Sequence, residues 1–204
     1  MILWAGLLTV AMPLTGRTNP TAAGMVFPTL STFAFGPQLS KRKDPMNALD
    51  VMKYGNRTVM NVLDALPLEK WEAEGVCGIW SVKNIVAHLA SYEWVLADIL
   101  RQQTGGGATP HLDAYKRTGM AFNDEQVDSR KPMSAAETLA EYKAAHADVM
   151  ALAPALPAER FREAGTLPWY GAEYALDDYI VYAIYGHKRE HIAQVNVYRD
   201  LLKG

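Results

Sequence analysis

Two histidines four residues apart, His187 and His191, lie in the run Gly186-His187-Lys188-Arg189-Glu190-His191. Residues at that spacing are neighbours on one face of an α-helix, so their ring nitrogens can reach a single transition-metal ion. The surrounding pattern is helical. Ile180, Ile184, His187, His191, Val195 and Tyr198 fall on one stripe at a 3.6-residue period, which points both imidazoles at a core. Two buried rings without a common partner would leave a donor or an acceptor unpaired, whereas a metal serves both. The plainer alternative is two separately satisfied histidines, one of them partly exposed.

A third ligand must come from another element. His88 shares a helical face with Ile85, Leu89, Tyr92 and Leu96. His146, on a face with Leu139 and Tyr142, is the rival: a third ligand in place of His88, or a fourth that would close the site and make it structural. His111 follows a glycine-rich turn and reads as solvated. Three imidazoles suit zinc, nickel, iron or copper better than calcium or magnesium, which take oxygen ligands. Tyr92 and Glu93 follow His88 by about one turn and are the candidate catalytic residues, able to orient a ligand or a nucleophile. Glu190 projects off the histidine face and reads as an exposed ion-pair partner of Lys188 or Arg189. Cys77 has no histidine beside it and does not resemble an activated nucleophile. Trp80, Trp94, Trp169, Tyr170, Tyr174 and Tyr182 are first packing anchors and second pocket walls.

The elements that would carry these residues are helices. Asp44-Pro45 has the form of an N-cap and first helical residue, and Leu49, Met52, Val59, Leu63 and Leu66 continue a first helix that ends before Pro67. Ser81, with Asn84 three residues on, caps a second helix reaching about Gln103, where Gly105-Gly106-Gly107 and Pro110 stop it. Thr104 to Pro132 is long for a plain bundle loop and predicts a lid or a short extra helix around 112–123. Ser134-Ala135-Ala136-Glu137 is a capping box opening a third helix to about Met150. The aromatic, glycine-bearing stretch 161–174 reads as a short extended excursion closing one end. A fourth helix begins near Leu176, with Asp177 and Asp178 where carboxylates suit the helix dipole. The fold class is all-α, an up-down four-helix bundle with a long crossover between helices two and three.

Bulk composition narrows the function. The chain has 204 residues, 50% hydrophobic and 21% charged, enough for one domain with a substantial core. Twenty basic against 22 acidic residues give a formal charge of −2 and no basic block, which argues against nucleic acid as a partner. The one cysteine rules out an intrachain disulfide, and the cytoplasm is the expected compartment. The apolar run at residues 2–12 is shorter than the ~20 residues a membrane span needs and lacks the positive flank of a secretory signal. No membrane association is expected. Residues 1–45 read as a flexible arm, an atypical signal or, the preferred reading, an upstream extension from a misplaced start. The bundle occupies 46–204.

The run Gly78-Ile79-Trp80-Ser81-Val82-Lys83-Asn84-Ile85-Val86-Ala87-His88-Leu89 resembles the helix-two signature of the DinB-like superfamily, which includes mycothiol-dependent maleylpyruvate isomerase relatives and colibactin-resistance-like four-helix proteins. Gly186-His187-Lys188-Arg189-Glu190-His191-Ile192 resembles that superfamily's helix-four metal motif. The likeness spans roughly residues 46–204. It implies a three-ligand metal site on His88, His187 and His191 and counts against His146 as a ligand. It also implies the chemistry of characterised relatives: transfer or isomerisation with low-molecular-weight thiols, or hydrolysis of a reactive small molecule.

The expectation is therefore a divalent-metal-dependent enzyme, zinc first with nickel or iron as alternatives, acting on a small electrophile by thiol transfer or hydrolysis. A low-molecular-weight thiol would be the cosubstrate. The alternative is a non-catalytic, stress-related bundle that binds a metal or a ligand. Bundles of this kind dimerise through helix faces, and a homodimer is expected.

Overall fold

In a computed structural model of the chain, residues 47–203 are described; the Asp44-Pro45 cap and the expected extension 1–45 lie outside them. The fold is the all-α bundle that the sequence predicts. Its four principal helices are α1 (Ala48–Leu63), α2 (Val82–Gln103), α5 (Ala135–Leu152) and a composite last helix. That last helix runs through α7 (Leu176–Tyr179), a π-helical stretch (Ile180–Gly186) and α8 (His187–Leu201). Among the described residues there is no sheet, only a bridge between Cys77 and Trp80.

α2 is the axis of the bundle. Its buried residues lie all round it, from Val82 and Ile85 through Leu89 to Ile99 and Leu100, so it needs neighbours on every side. α5 packs along its length, and α1 pairs with α8. Ser81 caps α2 as expected: its hydroxyl accepts from the Asn84 amide, and Asn84 Oδ1 accepts from the Ser81 amide at 3.0 Å, an amide doing the work of the usual carboxylate. Ser134 and Glu137 close the predicted box at the start of α5. The N-cap of α1 is Asn47, whose side chain accepts from the Asp50 amide at 3.1 Å.

The crossover holds two short helices, α3 (Pro110–Thr118) and α4 (Phe122–Ser129), where one was expected. α3 has no side-chain cap of its own. Asp98, buried on α2, accepts instead from the His111 and Leu112 amides at 2.7 and 3.1 Å. A distant carboxylate thus satisfies the orphan donors and pins α3 to the bundle axis. The 161–174 segment forms no strand. After α6 (Ala158–Phe161) it is a turn-rich loop, closed at its base by the Gly165 amide donating to the Tyr174 carbonyl at 2.9 Å.

The last helix departs from a simple α pattern. Leu176, Ile180, Ile184, Lys188 and Ile192 are all nearly fully buried and lie at a strict spacing of four. At about 100° per residue an ideal α-helix would carry Ile192 about 160° away from Leu176. The wider π winding takes up much of that phase error, so both ends of the helix keep facing the core. Gly55 on α1 lies opposite: a Cβ there would come within 3.2 Å of the Tyr185 ring and 3.5 Å of Lys188 Cδ. The absence of a side chain lets the two helices approach.

Candidate metal centre

α2 and α8 bring His88, His187 and His191 together, with one ring nitrogen from each lying within 4.8 Å of the others. His88 Nε2 is 2.8 Å from His187 Nε2, and His191 Nε2 is 3.0 Å from the same atom. Three imidazoles thus aim the same nitrogen at one point. His88 and His191 are buried and His187 is half-buried. Burial is the main cause that pushes His88 down to about 2 and His187 down to about 3, reinforced by the neighbouring histidines, and it lowers His191 as well. All three rings are therefore neutral near pH 7, the form in which imidazole binds a metal.

The hydrogen-bond partners assign the ring protons. His191 Nδ1 lies 2.9 Å from Gln194 Oε1 and donates to it. The Ala183 carbonyl, inside the π-helical stretch, favours the protonated His187 ring and partly offsets the effect of burial. With the His191 proton on Nδ1, its Nε2 lone pair is free toward His187 Nε2 at 3.0 Å. An outer hydrogen bond from Nδ1 is the usual way of orienting a metal-binding histidine. The donor set therefore fits a transition metal. His88 Nδ1, by contrast, is buried with no hydrogen-bond partner among the described residues.

Trp80 and Tyr92 wall the cluster. The Trp80 ring lies 4.9 Å from that of His88 and 6.2 Å from that of His191. The Cys77–Trp80 bridge immediately before the Ser81 cap fixes this side chain. Tyr92 lies edge-on 4.9 Å from His88 and 4.5 Å from His187. Its hydroxyl donates to Asn123 Oδ1 at 3.2 Å, and burial, with Tyr115 beside it, raises its pKa. Tyr92 also forms the inner wall of a cavity of about 440 Å³ between the crossover and the Trp169-Tyr170 turn.

Glu93 and Lys188 lie elsewhere in the core. Lys188 is not the exposed partner of Glu190 that the sequence suggests; it is buried, and its ammonium donates to Glu93 Oε1. His146 Nδ1 lies 3.2 Å from Glu93 Oε2. Burial pushes the Glu93 carboxyl up, but Lys188 and His146 outweigh it, and the net result is below the ordinary value. His146 thus belongs to an ion-pair network, and among the described residues the ligand cluster consists of the other three histidines. His111 is not solvated as expected but half-buried, stacked on Trp94 at 5.5 Å. Gln194 escaped the sequence reading and Lys188 was read as exposed, whereas Trp80 stood among the expected packing anchors and pocket walls. The signals that mark them are Trp80 next to a cap, Gln194 three residues after a ligand, and Lys188 within the four-residue repeat.

A helical bundle with a histidine triad split between its central and last helices defines a class of small metal-binding bundles. The DinB superfamily model matches residues 54–195, more than half of the chain, and the chain belongs to that superfamily. No curated protein and no solved structure matches it.

Proposed function

We propose that His88, His187 and His191 hold a divalent transition-metal ion, zinc in first place and nickel or iron as alternatives, and that the protein is a metal-dependent enzyme. Its substrate is a small electrophile, attacked by a low-molecular-weight thiol or by water. The observation that carries this reading is the convergence of three imidazoles, one ring nitrogen from each within 4.8 Å of the others, beside an aromatic cavity. When bound, such an ion supplies Lewis acidity that makes a thiol or a water a stronger nucleophile at neutral pH. The chain's own groups do the rest. Gln194 holds the His191 ring in its ligating tautomer. Tyr92, kept protonated by its raised pKa and tethered by Asn123, orients the nucleophile. Glu93, with both oxygens committed, positions the helices and does not touch substrate.

The alternative, a sequestering protein without turnover, would use a fourth protein ligand. His146 was its candidate, and its bond to Glu93 favours the catalytic reading. Metal analysis of the purified protein tests the proposal. About one zinc, nickel or iron per chain is expected, lost in His191→Ala, with turnover of 1-chloro-2,4-dinitrobenzene and a cellular thiol lost in parallel. Protein that neither contains nor takes up a stoichiometric divalent ion would sink it.

A cytoplasmic homodimer without nucleic-acid partners completes the proposal. It is supported by the charge balance, the single cysteine and the exposed Val197 and Leu201 along α8. Among the described residues no helix is long and apolar enough to cross a membrane. Sedimentation reads the mass, and a chain beginning at Met46 is expected to bind metal as the full chain does.

A further inference from the structure

The cavity beside Tyr92 has a chemical character of its own. Tyr92, Tyr115, Trp169 and Tyr170 supply four aromatic walls, and Lys116 and Asn123 supply the charged and polar lining. The aromatic walls brace one another: Tyr115 meets both Tyr92 and Trp169 edge-on at 5.8 Å. Rings held in this way lose little entropy when a flat molecule slides between them, and they reward a ring more than an alkyl chain.

The polar lining is one-sided. Among the described residues no Asp or Glu lines the cavity, and Lys116 forms no ion pair. Asn123 spends its carbonyl oxygen on the Tyr92 hydroxyl, which leaves its amide hydrogens as donors. An ammonium and an amide N–H without a neighbouring acid suit an oxyanion. At about 440 Å³ the space falls in the range of small-molecule sites and admits a one- or two-ring compound.

We propose that this cavity selects an aromatic acid: a planar ring system bearing a carboxylate, with the ring against Trp169 and Tyr92 and the carboxylate on Lys116 and Asn123. Tyr92 stands between the cavity and the histidine cluster, in ring contact with both His88 and His187, so a ring bound against it lies one side chain away from them. The inference deepens the proposed function, since it rests on reading the cavity beside the metal site as the place of the substrate.

The test titrates the metal-loaded full chain with naphthalene-2-carboxylate, with the neutral naphthalene-2-carboxamide and with cyclohexanecarboxylate, by calorimetry. The aromatic acid is expected to bind about fivefold to tenfold more tightly than either relative. Lys116→Met should remove that advantage over the carboxamide and leave carboxamide binding unchanged. Trp169→Leu should weaken both aromatic compounds. Equal affinity for acid and amide, an unaltered acid affinity in Lys116→Met, or no binding at all in metal-loaded protein would each overturn the proposal. The same titration on His191→Ala separates the two readings. Selective binding by wild-type protein that takes up no metal sinks the enzyme reading alone, whereas stoichiometric metal without selective binding sinks this one alone.

Discussion

Lys188 and Glu93 form a buried ion pair that joins the last helix to the central one, a single residue beyond His187. The His88–His187 contact and the pair Glu93–Lys188 span the same two helices. The separation that brings two imidazoles together is therefore set partly by a charge pair outside the cluster. Breaking a buried pair strands a charge and costs about 3–5 kcal/mol, whereas replacing both partners with apolar groups costs far less. Glu93→Gln should lose roughly 3 kcal/mol in urea unfolding. The double variant Glu93→Leu/Lys188→Met should recover most of it.

The same pair fixes a pH dependence. Glu93 has a folded pKa below its unfolded value, so in the folded state it holds fewer protons in the acid range. Its contribution is complete above the ordinary carboxylate value of about 4.5 and is lost as pH falls from there through the folded value. The stability gap between wild type and Glu93→Gln should therefore narrow steadily below that pH in denaturant titrations. A gap that stays constant to pH 3 would show that the pair does not titrate on unfolding.

Gln194 is bonded to the outer ring nitrogen of the candidate ligand His191. Gln194→Leu removes the acceptor that keeps the His191 proton on Nδ1. Metal affinity should fall about tenfold to a hundredfold in competition with a chromogenic chelator, with little change in metal-free stability. Stripping the ion from wild type should itself lower stability, by about 2.7 kcal/mol relative to free metal held at a hundred times Kd.

Asp98→Ala should loosen the start of α3, because two amides lose their only capping group. Hydrogen exchange at His111 and Leu112 should accelerate well before global unfolding, and stability should drop by about 2 kcal/mol. The cavity walls Tyr115 and Lys116 ride on this helix.

Gly55→Leu should be among the most damaging single changes. Even a Cβ at Gly55 meets Tyr185 at 3.2 Å, and a longer side chain must push the last helix off α1. A loss of about 3 kcal/mol is expected in thermal unfolding.

The fold was legible because its signals are local. Ser81, Ser134 and the glycine run after Gln103 mark helix ends by chemistry that acts within one turn. The histidine cluster was legible for a related reason: the i, i+4 pair is intrinsic to one helix, and His88 stands on the face of another. Lys188 was misread because its burial depends on a partner 95 positions earlier in the chain. The π winding was hidden by reading the stripe at an α period, although the four-residue repeat from Leu176 to Ile192 already required it. Asp98 as a remote cap could not be read from the motif, since α3 carries no cap of its own.

The loosely wound turn ahead of His187 makes the last helix tolerant of length on one side of the ligands and intolerant on the other. Dropping one residue from 181–185 would let the backbone tighten to the ordinary pitch while His187 keeps its bearing. Dropping one between His187 and His191 has no such slack to draw on, and would swing the second ring about 100° out of reach of the first.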